Sequence, residues 1–319
     1  MKRIDKSQLQ IGMFVEDLEC AWEENPIGER RFLLERAEQV DLLKRSNIKA
    51  AIINPVLGSD IVEAANILAR KREKAPPLEQ RRRVANKILA SVQSTTADLF
   101  NGARTGDSVG MAQTEPVVRE ISRAMERDPI VFISISRLKS KDETTFRHSI
   151  AVSALLVQFA RYKKFDAETV RVLGTAGLVH DIGKMRMPDE ILQKEGSLTA
   201  SELEKIRTHP ALGHAILSAE GDMPQFVLDI CLQHHERPDG KGYPAGLSGS
   251  EIGEHVSMAT ICDVYEAITS ARPYKKPWPS ADAIAWMLER RGHFDRALLR
   301  EFIACLDLMG KQVPVSLAS

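Results

Sequence analysis

The 319 residues carry 44 Lys plus Arg against 44 Asp plus Glu, a balance that gives no reason to expect a long nucleic acid or an anionic membrane as obligate partner. The length allows about two domains, and the four cysteines, Cys20, Cys231, Cys262 and Cys305, are widely spaced with no Cys-x-x-Cys pair, which excludes a zinc finger and argues against a disulfide framework. The N-terminus lacks an apolar signal core, and the longest apolar run, 150–160, is broken by Ser153 and Gln158 and is too short to span a bilayer, so a soluble, cytoplasmic protein is expected.

From 9 to 55 the pattern mixes short β-like runs (Gly12-Met-Phe-Val15, Arg31-Phe-Leu-Leu34, Ala51-Ile-Ile53) with a helical stretch over 37–44, the mark of a small α+β domain. Residues 60–100 are charged and Ala-rich and are broken by Pro76-Pro77, which predicts two helices that connect domains rather than pack a core of their own. The basic residues of 71–83 are interspersed with Glu73 and Glu79 and read as a solvated helix face, not an RNA-binding stripe. A hinge is expected at 101–107, with Gly102 and Gly106. The expected division is therefore 1–105, a mixed α/β domain plus helical linker, and 106–319, a helical domain. Beyond Pro129 helix follows helix, with loops at Gly183, Pro188, Gly196, Gly221, 240–249 and 273–279, so the fold class is mainly α with a C-terminal all-helical bundle.

Seven side chains of the second half carry the chemistry: His148, His180, Asp181, His209, His234, His235 and Asp263. Five imidazoles and two carboxylates are about what two transition-metal ions need if each keeps a position open to solvent, which points to a metallohydrolase. A helix over 166–180, N-capped by Asp166 and apolar at Val170, Leu173, Ala176 and Gly177, ends in His180-Asp181, where the chain can turn so that the carboxylate bridges two ions. Lys184, four residues after His180, can return its ammonium to the same place, attract phosphate oxygens and assist the leaving oxygen. His209 precedes Pro210 and so stands at a helix entrance. His234-His235-Glu236 lies at a helix-to-loop junction before Pro238-Asp239-Gly240, and Glu236 is expected to orient an imidazole rather than to be an eighth ligand. His148 sits near the start of a strongly apolar helix, and Asp263 closes the set. His214, His255 and His293 lack such a context and are expected to be structural or exposed, while Cys231 and Cys262 read as small buried hydrophobes.

His180-Asp-Ile-Gly-Lys184, His234-His-Glu-Arg-Pro-Asp-Gly-Lys-Gly-Tyr-Pro244 and Ala271-Arg-Pro-Tyr-Lys275 resemble the HD-GYP domain, a subgroup of the HD phosphohydrolases, over about 138–306. The residues before it resemble the small domain of unknown function that often precedes HD-GYP domains. The resemblance implies a metal-dependent phosphodiesterase that opens cyclic di-GMP to linear pGpG, with GMP as a further product. It implies one metal on His148, His180, Asp181 and Asp263 and another on Asp181, His209, His234 and His235, about 3.5–4 Å apart, activating a bridging hydroxide for in-line attack. Asp181 and Lys184 would be catalytic, and Arg272, Lys275 and Tyr243 would bind substrate. Iron or manganese is the metal the family implies, and zinc or nickel also suits the ligands. Implied partners are cyclic di-GMP, GGDEF-domain proteins and a second copy of the chain as a homodimer. Family members with a third metal carry Glu four residues before the first histidine; Thr144 stands there, so two metals are expected. The tail after Leu306 departs from the family's usual ending. Two alternatives stay open: a cyclic di-GMP receptor of the same fold with little turnover, and a hydrolase of a hybrid cyclic dinucleotide.

Overall fold

The computed structural model describes residues 1–21, 24–59, 76–137, 144–194, 196–271 and 277–311. The chain divides into two compact units, Met1–Pro76 and Pro77–Ser319. The first is built on β1 (Lys2–Asp5), β2 (Phe14–Leu18), β3 (Phe32–Leu33), α1 (Ala37–Arg45) and β4 (Ala50–Ile53), with the strands in the antiparallel order β1-β4-β2-β3. Strands β1 and β4 pair from Lys2 opposite Ile53 to Asp5 opposite Ala50, and a register shift between Val15 and Asp17 marks an irregularity in the β2–β4 ladder. One sheet face and α1 close over Ile4, Met13, Val15, Phe32, Val40, Leu43 and Ile53. Strand β1 went unpredicted because Lys-Arg-Ile-Asp buries only Ile4 and shows no run of β-formers; pairing with the apolar β4 makes it a strand.

The second unit is helical: α2 (Leu78–Thr105), α3 (Met111–Arg127), α4 (Pro129–Ser136), α5 (Thr144–Tyr162), α6 (Ala167–Val179), a 3-10 turn (Ile182–Arg186), α7 (Asp189–Leu192), α8 (Ala200–Ile206), α9 (His209–Ser218), α10 (Gln225–Gln233), α11 (Glu254–Thr269), α12 (Ser280–Glu289) and α13 (Arg296–Lys311). The mainly α class expected from the sequence is what the chain adopts. The role expected for the segment after Pro77 is corrected. Helix α2 does not merely connect: Ala85, Leu89, Val92, Thr96, Phe100 and Ala103, three or four residues apart, form one buried face against the core. Burying a side chain such as Leu89 or Phe100 contributes roughly 1.5–3 kcal/mol, enough to outweigh the helix's charged composition. Most of its charged residues stay exposed, which is why the segment looks like a linker by composition. Residues 60–75, where the other connecting helix was expected, lie outside the described residues.

Helix α5 is buried on all sides from Ile150 to Val157, the pattern of a central helix. The next helix, α6, begins at the predicted cap, where Asp166 Oδ1 accepts from the Thr169 amide at 2.9 Å. At the far end α13 runs to Lys311 with Phe302, Cys305 and Met309 buried, so the unusual tail sequence still packs a helix up to that point. Among the described residues no helix is long and apolar enough to cross a membrane.

Candidate metal centre

Five helices deliver the seven donors. Helix α5 supplies His148; α6 ends at His180, and Asp181 starts the 3-10 turn; α9 opens on His209; α10 ends in His234 and His235. Asp263 is set mid-helix in α11 rather than at an end. The donor atoms converge in two groups, each within 4.8 Å: Asp181, His209, His234 and His235, and His148, His180 and Asp263. Asp181 lies between them. Its Oδ1 is 3.2 Å from His209 Nε2 and 3.6 Å from His234 Nε2, while Oδ2 is 3.5 Å from Nε2 of both His148 and His180. His148 Nε2 is 3.0 Å from Asp263 Oδ1.

The second ring nitrogens decide what this convergence means. Nδ1 of His180 donates to the Gly177 carbonyl at 2.9 Å, that of His209 to Ile206 at 2.7 Å, and that of His234 to Cys231 at 3.0 Å. A carbonyl only accepts, so each Nδ1 carries the proton and each Nε2 is a bare lone pair. Nε2 of His209 and of His234 are then 3.3 Å apart, lone pair facing lone pair, beside a carboxylate oxygen. His180 Nε2 and Asp181 Oδ1 are buried with no hydrogen-bond partner among the described residues. Electron-rich atoms held this close in a buried space repel one another unless a cation stands between them, and nitrogen and oxygen donors suit divalent transition ions. The donor set fits a metal centre.

Electrostatics favour neutral rings at His180, His209 and His235 and an ionised Asp181, while His148 is drawn the other way. Burial, partly offset by Asp181, brings His180 down to about 4, and burial also lowers His209 and, most strongly, His235. Burial opposes the charge on Asp181, yet Lys184 and the surrounding histidines hold its carboxyl well below the usual range. Burial likewise opposes a charge on His148, but Glu266 and Asp263 outweigh it and push that imidazole up to about 9. Lys184 reaches Asp181 Oδ2 at 2.5 Å, on the carboxylate the sequence singled out.

Two side chains behind the donors were not read correctly from the sequence. Glu266, fully buried on α11, was missed; its Oε2 lies 2.5 Å from His148 Nδ1. The signal was available, since Glu266 follows Asp263 by three residues and so shares its helix face, and a carboxylate in an otherwise apolar stretch needs a partner. Glu236 was expected to orient an imidazole. Instead its buried carboxylate accepts three backbone amides, from Ala245 at 2.6 Å, Gly246 at 3.1 Å and Leu247 at 2.9 Å. His255 packs against Phe165 and Phe226 and His293 against Phe294, and neither they nor His214 join a donor group. Cys231 and Cys262 are buried, as expected. Arg272 and Lys275 lie outside the described residues, as does the side chain of Thr144.

Comparison with known proteins shows the family of the chain. The family model described as HD domain matches residues 131–298, and the one described as Domain of unknown function (DUF3391) matches 1–114. A cyclic di-GMP phosphodiesterase of Pseudomonas aeruginosa is 39% identical over 319 residues, covering 97% of this chain and 77% of that protein. The chain belongs to the HD-GYP family of HD-domain phosphodiesterases. A 3'3'-cGAMP-specific phosphodiesterase of Vibrio cholerae is 37% identical over 146 residues, 46% of this chain and 34% of that protein. A solved HDG"Y"P protein from Bdellovibrio bacteriovorus shares the fold, with a TM-score of 0.57 at 16% identity over 96% of this chain and 99% of that one.

The Gly242-Tyr243-Pro244 segment that gives the HD-GYP family its name runs directly into the residues held by Glu236. Gly242 passes so close to it that a Cβ would stand 2.5 Å from Glu236 Cα and from the Arg237 amide nitrogen. Only glycine permits that approach. The loop then lays the Tyr243 ring flat on His235, 4.7 Å between centroids, with the Arg207 guanidinium 5.3 Å from the tyrosine ring.

Proposed function

We propose that the chain hydrolyses cyclic di-GMP to linear pGpG, with GMP as a further product, at a centre holding two divalent metal ions. The observation that carries this reading is the meeting of bare imidazole lone pairs from His180, His209 and His234 on the two faces of Asp181. The substrate is supported by the Pseudomonas relative, which is named for that activity and matches almost the whole chain. His148, His180 and Asp263 with Asp181 Oδ2 would hold one ion, and His209, His234 and His235 with Asp181 Oδ1 the other. Iron or manganese is preferred, and zinc or nickel suits the same donors. Such a pair supplies, when bound, Lewis-acid polarisation of the phosphoryl oxygens and a lowered pKa for solvent.

The chain's own residues do the rest. Lys184, held on Asp181, offers an ammonium to a phosphoryl oxygen and to the leaving oxygen. Arg272 and Lys275 bind the phosphates, the arginine through its planar fork. Tyr243, fixed against His235, presents an aromatic edge of the cavity to substrate. Four free thiols, three of them buried, support a cytoplasmic location.

The test is turnover by iron- or manganese-loaded protein together with its metal content. Conversion of cyclic di-GMP to pGpG is expected, and Asp181→Ala should abolish both turnover and stoichiometric metal. Binding without turnover in the loaded protein would make it a receptor instead. Because half of the chain also resembles an enzyme specific for 3'3'-cGAMP, that nucleotide belongs in the same assay, and a higher kcat/KM for it would reassign the substrate.

A further inference from the structure

The two donor groups differ in what stands behind them. Nδ1 of His180, His209 and His234 each meets a neutral peptide carbonyl. His148 Nδ1 meets the carboxylate of Glu266 at 2.5 Å, and the other oxygen of that carboxylate takes the Ser270 hydroxyl. Glu266 is 0% exposed and lies one helical turn beyond Asp263 on α11, so one rigid element carries both a donor carboxylate and the group that grips the neighbouring imidazole. A carboxylate behind an imidazole fixes its tautomer and raises its basicity toward a metal.

The charges near the two groups are also unequal. A dication among His148, His180 and Asp263 meets Asp263 and Asp181 Oδ2 with Glu266 behind them, offset by the Lys184 ammonium on that same Oδ2. Among the described residues, one between His209, His234 and His235 would meet the carboxylate of Asp181 through Oδ1 and three imidazole rings, with no second acidic donor. Even after Lys184 is counted, the first group has the larger negative charge at close range, where Coulomb attraction is least screened.

We propose that Glu266 is a positioning residue that makes the His148–His180–Asp263 group the tighter of the two metal sites and the first to fill. This rests on the reading of the cavity as a two-metal centre. It adds an order of binding to that reading and assigns the order to a residue that touches no metal.

The test is a cobalt(II) titration of the metal-free, full-length protein, followed by visible d–d absorbance, with elemental analysis after a chelator challenge. Wild type should take up two equivalents in two separable steps. Glu266→Gln keeps the shape, can still accept from His148 Nδ1 and can turn its amide toward Ser270, but loses the charge; it should weaken the first step about 10- to 100-fold and leave the second unchanged. Glu266→Ala should weaken the first step further. His235→Ala should remove the second step and preserve the first, which tests the order even if the Glu266 variants fold poorly. Unchanged steps in Glu266→Gln, or both steps weakened alike with a lowered melting temperature of the metal-free protein, would overturn the proposal, and so would loss of the tighter step in His235→Ala. Wild-type uptake of no more than one equivalent would instead sink the two-metal reading itself.

Discussion

At the scale of single residues the centre depends on close approaches that allow no extra atom. Gly183, two residues after Asp181, is packed so that a Cβ would stand 1.9 Å from the His209 carbonyl oxygen and 2.5 Å from the Gly213 nitrogen. Both are backbone atoms of α9, so neither can swing aside, and the helix that starts with His209 would have to move. Gly183→Ala should therefore cost at least about 1–3 kcal/mol, the usual penalty for overpacking, and should lower metal content by displacing His209. Urea unfolding alongside elemental analysis checks it; wild-type values in both would show that α9 has slack the packing does not suggest.

At the scale of elements the supports can be separated from the donors. Glu236 holds the amides of 245–247 and contacts no other donor among the described residues. Glu236→Ala takes the shared carboxylate partner from the amides of 245–247 and releases the loop that sets Tyr243 on His235. We expect the metal content to stay near wild type while KM rises; parallel loss of metal would return Glu236 to the role first expected of it. A second element shows a pH effect with a definite sign. Glu202 closes the capping box of α8, and its bonds from Lys194 at 2.6 Å, the larger cause, and from the Thr199 amide at 2.7 Å bring its carboxyl from 4.5 down to about 2. A depressed folded-state pKa means that the contribution is fully present above about pH 4.5 and is lost as pH falls toward 2. Glu202→Gln should lower stability at neutral pH, where the carboxylate's contribution is fully present, flatten the acid limb in that window and converge with wild type as pH approaches 2, as thermal melts across the pH range would show.

At the scale of the molecule, all seven donors, with Lys184, Glu236 and Glu266, belong to the unit Pro77–Ser319, whose core is a hydrophobic cluster separate from that of Met1–Pro76. A truncated chain beginning at Pro77 should thus fold cooperatively, bind the same metal per chain and keep its turnover. A shortened chain that is folded and metal-loaded but inactive would give the N-terminal unit a direct part in catalysis.

The helical class, the cap at Asp166, the helix entrance at His209 and the stock of imidazoles and carboxylates that converge could all be read from the chain alone, because each is set by residue type and by neighbours within a turn or two. What tertiary structure decided were relations between distant segments. Strand β1 exists through its pairing with β4, and α2 belongs to the core through one apolar face that its charged composition hid. Glu236 turned from the imidazoles to the backbone nine to eleven residues ahead, a partner no local pattern specifies. Glu266 found His148 118 positions away. Local sequence sets which groups are available and which face of a helix they occupy; which buried acid meets which donor is settled only when separate helices pack and each charge must find its counterpart.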